Sequence, residues 1–480
     1  MAVPRSHDMM KPILELLAEA ADTMTTTDIL DRLAQRYALT PADREERTPS
    51  GKSRYYNNAT RAIGDLKAGG CLQQAGRALY RITPVGRAAI AANPGSDNLD
   101  GYLMQTSEAY RAFKTGRAGG ARAPAAATEA DATVSTLAAA LQRGRNLILY
   151  GAPGTGKSHY ARLLYAGHEH LVTTFHPDYD YTDFVGAYKP AVDREGRITY
   201  AFTPQVFTRA YSRAWKLYCD DLQEGGSPEG SPGSLSEAEP MYLGIEEINR
   251  GNCAQAFGDI FQLLDRDEEG FSRYAIACDH DLADWLAREL GACPGYAQTI
   301  CEREGLGDGF DYSYLMLPPN FYLLATMNTS DQSLFPMDSA FRRRWEWEYV
   351  AINYEAADGV VIQLEGRSYG WRDFLCRINE RIGRVTLSED KQLGPYFVRV
   401  PADRVISAGM FRSKVLFYLW HDVFRDEPDG VGNLFRYAAA DGQGARQVNF
   451  SELYGPQGGD IMRYMLETGL GMEALPQDGA

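Results

Sequence analysis

An α/β fold around a parallel sheet is predicted for residues 134–350. Four short apolar runs, Asn146 to Tyr150, Leu171 to Phe175, Met241 to Ile245 and Phe321 to Thr326, alternate there with helical patterns. Such alternation favours parallel strands joined by helices. The first run leads through a glycine-rich turn directly into an apolar helix. At 480 residues the chain also exceeds what one ordinary core organises, so further domains are expected on either side.

Residues 1–95 predict a small domain of three helices and a terminal hairpin. Ile13, Leu16, Leu17 and Ala20 share one face of the first helix. Thr25, Thr26 and Thr27 offer N-caps for a second, which carries Ile29, Leu30 and Leu33. The third is expected from about Ser53 to Ala68, with Tyr56, Ile63 and Leu66 inside and Gly69-Gly70 ending it. A strand follows over Ala78 to Thr83, then a turn at Pro84. Residues 96–133 are expected to be a linker, because the Ala- and Gly-rich run Thr115 to Thr133 can bury little. Two polar insertions interrupt the α/β region: Gly225 to Pro240, expected to be a mobile loop, and about Phe271 to Pro318, which has no readable pattern. Residues 351–480 turn mostly helical, most clearly at Gly409 to Asp426.

Composition bounds the function classes. With 44% hydrophobic and 24% charged residues the chain is globular, and no apolar run approaches the roughly 18–20 residues a membrane span needs. Met1 to Met10 lacks the apolar stretch of a secretory signal. Seven scattered cysteines form no CxxC pair, which argues against a disulfide framework or zinc site. A cytoplasmic protein without membrane contact is expected. The net charge of −15 opposes nucleic-acid binding over the whole surface. Residues 44–95 nevertheless hold nine Lys/Arg against three Asp/Glu, so one local basic module remains.

Gly151-Ala152-Pro153-Gly154-Thr155-Gly156-Lys157-Ser158 has the spacing of a phosphate-binding loop in its required strand–loop–helix setting. Its glycines let successive amides converge on phosphate oxygens, aided by the positive end of the following helix. Lys157 is expected to reach the β- and γ-phosphates and Ser158 to ligate Mg²⁺. His159, the next residue, is counted with the nucleotide contacts. Such a loop needs acidic partners at a neighbouring strand end, and Met241 to Ile245 runs into Glu246-Glu247. Glu246 is expected to hold the metal through its water shell, and Glu247 to polarise the attacking water.

Glu246-Glu247-Ile248-Asn249-Arg250-Gly251-Asn252 resembles the DEINRxN signature of the McrB family, AAA+ motors of modified-DNA restriction systems. Phe175 to Gly186 is similar to that family's FHPSYSYEDF segment, Thr326 to Ser333 to its TMNTADRS, and Asp338 to Trp345 to its DxALRRRF. Leu393-Gly394-Pro395-Tyr396-Phe397 extends the similarity. The resemblance implies an AAA+ P-loop NTPase core with a C-terminal helical lid, using ATP or GTP with Mg²⁺. It implies sites completed between subunits of a homo-oligomeric ring, most simply a hexamer. Asn328 takes the sensor-1 position, bonding the attacking water or the γ-phosphate. Arg343 or Arg344 would enter the neighbour's site as the γ-phosphate departs, and Arg250 would bridge toward a neighbour. Arg412 or Lys414 would supply a sensor-2 cation. Two departures stand out: Glu246 where the family has Asp, and Gln332 where it has Arg.

Residues 9–87 resemble the N-terminal domain of Mrr-type restriction proteins, through Leu39-Thr40-Pro41, Tyr56 to Lys67 and Tyr80 to Arg87. That implies a winged helix-turn-helix, with Arg54, Asn57, Asn58 and Arg61 on the outer face of the third helix, facing DNA, and Arg77 and Arg81 on the wing. No PD-(D/E)xK or HNH arrangement is present, so DNA cleavage is expected of a separate McrC-like nuclease subunit. The expectation is therefore a DNA-recognition domain tethered to an NTP-driven ring motor. The alternative is a MoxR-like protein-remodelling ATPase whose winged helix is an adaptor.

Overall fold

The structure, a computed structural model, describes residues 3–476 apart from 21–22, 48–52, 77–78, 97, 108–109, 112–128, 193–195, 197, 224–237, 307–309, 311, 331–334, 426–432 and 439–445. The expected loop at Gly225 to Pro240 and the glycine-rich part of the expected linker fall largely outside the described residues, as do Arg77 and Gln332.

The N-terminal unit holds helices α1 (Met10–Glu19), α2 (Thr26–Arg36) and α3 (Arg54–Ala68), then strands β1 (Leu72–Gly76) and β2 (Leu79–Ile82). Thr25 caps α2 reciprocally with Asp28, a box that stabilises a helix start by about 1 kcal/mol. Ser53 Oγ accepts from the Tyr56 amide and sets the phase of α3. That phase turns Tyr55 inward at 3% exposure and leaves Tyr56 54% exposed, which corrects the inward placement of Tyr56. Pro84 does not end in a turn. It opens helix α4 (Pro84–Ala92), because Thr83 accepts from the Gly86 amide and proline suits a first helical turn. Helix α5 (Asp100–Thr106) follows, and Leu99, Leu103 and Tyr110 are fully buried in the N-terminal core. Leu99, Leu103 and Tyr110, within the span expected to be a linker, are thus packed into the N-terminal core, since Leu99 and Leu103 recur on one helical face.

The central unit contains helix α6 (Glu129–Gly144), strand β3 (Asn146–Gly151), helix α7 (Lys157–Tyr165) and strand β4 (Glu169–Thr174). A hairpin of β5 (Gly186–Val192) and β6 (Ile198–Pro204) precedes α8 (Val206–Gln223) and β7 (Met241–Glu246). Helices α9 (His280–Leu290) and α10 (Pro294–Glu304) come next, then β8 (Phe321–Asn328) and β9 (Glu346–Tyr349). The five sheet strands are all parallel, in the order β9-β3-β8-β7-β4. Leu147, Ile148 and Leu149 are fully buried on successive faces of β3, as a strand covered by helices on both sides demands. Register places Asn328 opposite Gly151 and Ala325 opposite Ile245. The carboxyl ends of β3, β7 and β8 therefore converge where a parallel sheet binds ligands.

The insertion at 271–318 folds into this same core. Ile276–Ala277 pairs antiparallel with Tyr314–Leu315, and Leu286, Leu290, Tyr296 and Ile300 are fully buried. Trp215 of α8 is also fully buried, with its indole N–H donated to the Met316 carbonyl at 2.9 Å, so its burial leaves no donor unpaired.

The C-terminal region has its own core and more strand than expected. Strands β10 (Val361–Leu364), β11 (Arg367–Gly370) and β12 (Val405–Ser407) form a three-stranded sheet. Helix α11 (Trp371–Thr386) buries Trp371, Phe374, Leu375 and Ile378 beside it. The helical expectation missed this sheet because its strands are only three or four residues long, too short for a period of two to register. No helix among the described residues is long and apolar enough to cross a membrane.

Candidate nucleotide site

The loop between β3 and α7 is made of backbone that side chains would forbid. Gly151, Gly154 and Gly156 have φ of 143°, 78° and 97°, the region glycine alone enters readily. A Cβ on Gly154 would lie 2.4 Å from the Phe397 amide nitrogen. Lys157, 7% exposed, donates from Nζ to the carbonyls of Gly151 at 3.0 Å and Ala152 at 2.8 Å. Thr155 donates to the Ala152 carbonyl at 3.2 Å. The loop is thus held by its own side chains, and its curved backbone opens onto a cleft of about 680 Å³.

The cleft is lined by Pro153, Gly154, Gly156, Lys157, Ser158 and His159 on one side and by Glu247, Thr326 and Asn328 on another. Ser158 Oγ donates to Glu246 Oε2 at 2.6 Å, and Thr326 Oγ1 donates to the same oxygen at 2.6 Å. The extra methylene of Glu246, relative to the Asp of the resembling family, is absorbed within these bonds. Asn328 Nδ2 donates to Glu247 Oε1 at 2.6 Å. Glu247 itself sits at φ 55°, ψ 48° and donates its amide to Thr326 Oγ1 at 3.2 Å. A left-handed glutamate costs about 1 kcal/mol or more. The turn into Ile248–Arg250 compensates, with Asn249 Nδ2 donating to the Asn328 carbonyl at 2.7 Å. Burial first and the Glu246 carboxylate second push the Tyr165 phenol above its ordinary value.

These groups fit a magnesium-bound triphosphate. Ser158 and Glu246 are hard oxygen donors at bonding distance from each other, the chemistry Mg²⁺ selects. Gly151 and Gly154 lie so close to the Val350 carbonyl and the Phe397 amide that a Cβ on either would collide, so the loop keeps this curvature only with glycine there.

Not every expected site residue gathers here. Arg343 is exposed, whereas Arg344 is drawn into its own chain: its side chain is 8% exposed, pairs with Asp265 at 2.7 Å and lies over Phe261 at 4.6 Å. The Arg344 guanidinium is thus occupied by partners within its own chain. Arg250 is 55% exposed beside Glu247, 3.9 Å away. Arg412 donates to the Leu453 carbonyl at 2.8 Å and stacks on Tyr454, and Lys414 is exposed. Neither lines the cleft; Tyr396 and Arg399 do. Sequence reading missed Arg399, whose only signal is its place just after the Leu393 to Phe397 match.

The third-helix candidates also divide. Asn58 is 1% exposed and donates to the Pro4 carbonyl at 2.9 Å, so it faces inward, not outward. Arg54 pairs with Glu46 at 2.8 Å, and Arg61 with Asp221 of α8 at 3.0 Å. Asn57 is half-buried and Arg81 exposed. The helix period explains the split, since Tyr55, Asn58, Ala59, Ala62 and Ile63 form the buried stripe.

Two family models match the chain: the Mrr N-terminal domain over residues 7–92 and the AAA domain of the dynein-related subfamily over residues 146–345. The type II restriction enzyme BsuMI component YdiS of Bacillus subtilis is 33% identical over 318 residues, covering 59% of this chain and 80% of that protein. The type IV methyl-directed restriction enzyme EcoKMcrB subunit of Escherichia coli is 26% identical over 228 residues, covering 45% of this chain. This chain spans only 38% of that subunit's length. An AAA+ core with its five-stranded parallel sheet, an Mrr N-terminal domain and these two relatives place the chain in the McrB-like family of AAA+ restriction-system ATPases.

Proposed function

We propose that this chain is the motor subunit of a McrBC-like restriction or anti-phage system, coupling hydrolysis of ATP or GTP to recognition of DNA or movement along it. The observation that carries the reading is the meeting of Ser158, Glu246, Glu247, Thr326 and Asn328 around the phosphate loop.

In this reading the amides of Gly154 to Ser158 and Lys157 Nζ bind the β- and γ-phosphates, with His159 at the loop's edge. Ser158 and Glu246 hold Mg²⁺, which shields phosphate charge when bound. Glu247 Oε1 takes the proton of the attacking water, and Asn328 orients that carboxylate and the water. Arg343, exposed on its own subunit, completes the site of the next protomer in a ring, and hydrolysis is thereby linked to assembly. Residues 1–95 with their packed continuation present duplex DNA through the exposed parts of α3 and the hairpin, and a separate nuclease subunit cuts.

Phosphate release measured with ATP and GTP side by side, with and without duplex DNA, tests this. DNA-stimulated turnover that disappears in Lys157→Ala and Glu247→Gln is expected. Full turnover in both variants sinks the proposal, and stimulation by a protein client alone favours the remodelling alternative.

A further inference from the structure

One of the α3 side chains expected to face DNA reaches out of its own domain. Tyr55, Asn58, Ala59, Ala62 and Ile63 form the buried stripe of that helix, and Arg61 projects off it. Its Nη1 lies 3.0 Å from Asp221 Oδ1 in the last turn of α8, 160 residues later. Helix α8 belongs to the central core, where Phe207, Tyr211 and Trp215 are buried. It also braces β8, because Asn320 just before that strand donates from Nδ2 to the Ala214 carbonyl at 3.0 Å. The pair therefore joins the N-terminal domain to the ATPase core.

The last turn of α8 is a strongly negative place. Asp220 and Asp221 are 5% and 7% exposed, and carboxylates so nearly out of water need cations beside them. Arg213 stands near Asp220, and Arg61 meets Asp221. The carboxyl end of this 18-residue helix adds its own partial negative charge. To an arginine, two carboxylates on such an end offer the charge and the oxygen acceptors of a duplex backbone. A phosphate brought to Arg61 while it is docked there would stand against these carboxylates and be repelled. Arg61 thus serves the core or the duplex, not both.

We propose that the Arg61–Asp221 pair latches the DNA-reading helix onto the ATPase core, and that duplex DNA opens the latch by competing for Arg61. This rests on the DNA-recognition reading above and deepens it by naming the contact that the duplex displaces. The undocked domain is the form that binds DNA, so the docked fraction lowers the apparent affinity.

The test uses full-length protein and a fluorescein-labelled duplex at constant salt, read by anisotropy, with thermal melting as a folding control. Asp221→Asn keeps the size of the side chain and removes its charge. Breaking this partly exposed pair should raise duplex affinity roughly 2-fold to 10-fold. Arg61→Ala should weaken binding, and adding Asp221→Asn to it should change nothing further, since Asp221 acts through Arg61. A second readout is the Arg61→Cys/Asp221→Cys protein treated with diamide, which takes up the two thiol hydrogens as the disulfide forms. Mapped by mass spectrometry, that cross-link should form without DNA and be suppressed by saturating duplex. Unchanged or lower duplex affinity of Asp221→Asn overturns the latch, as does a cross-link that never forms or ignores DNA. Duplex bound by neither the unaltered chain nor Asp221→Asn instead overturns the DNA-recognition reading, so the two failures are distinguishable.

Discussion

Asn328 Nδ2 lies 2.6 Å from Glu247 Oε1 and donates to it, joining the tips of β8 and β7 through the two side chains assigned to the attacking water. Glu247 is held from a second direction by its amide bond to Thr326 Oγ1. A carboxylate kept in a left-handed backbone and bonded at its head has few rotamers left, which is what a positioned base requires.

Replacing either member should separate chemistry from binding. Glu247→Gln is expected to keep nucleotide affinity and lose about 10²-fold or more in turnover. Asn328→Ala is expected to lose about 10²-fold. Equilibrium binding of a fluorescent nucleotide beside phosphate release decides it, and an Asn328→Ala protein with unchanged turnover contradicts the assigned role.

Magnesium dependence should report on Glu246. Because Ser158 and Thr326 both donate to its Oε2, Ser158→Ala and Thr326→Val each remove one orienting bond. Each should raise the magnesium concentration needed for half-maximal turnover, Ser158→Ala the more, since that hydroxyl is itself assigned to the metal. EDTA should abolish turnover in the unaltered chain. A magnesium titration that superimposes for all three proteins speaks against this geometry.

The Gly394 amide donates to the Pro153 carbonyl and the Tyr396 amide to the Gly154 carbonyl, and this close approach predicts a cost for one methyl group. Gly394→Ala places a Cβ against the Gly154 carbonyl, and backbone on both sides cannot give way cheaply. Overpacking of this kind costs about 1–3 kcal/mol. Nucleotide affinity should fall, while the lid core around α11 stays folded by circular dichroism.

Arg343 and Arg344 should fail differently. Arg343→Ala should fold normally and hydrolyse poorly, yet regain activity when mixed with Lys157→Ala, because each subunit then lacks a different half of a shared site. Arg344→Ala should instead lower the melting temperature by losing the Asp265 pair and the Phe261 stacking, worth about 1–3 kcal/mol for a partly buried charged bond. Restored activity from an Arg344→Ala mixture, with no change in melting, reverses the assignment.

In the N-terminal domain, Asn58→Ala should cost about 1 kcal/mol of stability through its lost bond to the Pro4 carbonyl. It should leave DNA affinity unchanged. DNA affinity itself should fall steeply with added salt, measured by fluorescence anisotropy; a flat salt response argues for a protein adaptor.

Much of the site was legible because it is local. A phosphate loop is eight consecutive residues whose glycines dictate their own backbone, and Glu246, Glu247 and Asn328 sit at the ends of apolar strands long enough to recognise. The parallel order of those strands followed from the helices between them. Short strands such as β10 to β12 left no periodic trace, and the pieces of 271–318 became intelligible only once packed against α8.

What the chain order could not express is which polar side chain faces which neighbour. One residue of helical phase, set by the Ser53 cap, decided that Asn58 points inward and Tyr56 outward. Asp265 and Phe261, nearly eighty residues upstream, decided that Arg344 is bound at home while Arg343 is exposed. Arg399 reaches the cleft because two backbone bonds pin a lid segment onto a loop some 240 residues earlier. The sequence by itself determined the phosphate loop, the acidic strand end and the α/β architecture, since these depend on contiguous residues. Tertiary structure alone decided which cations line the cleft and which are bound elsewhere, since a long side chain's partner is chosen by packing and not by its neighbours in the chain.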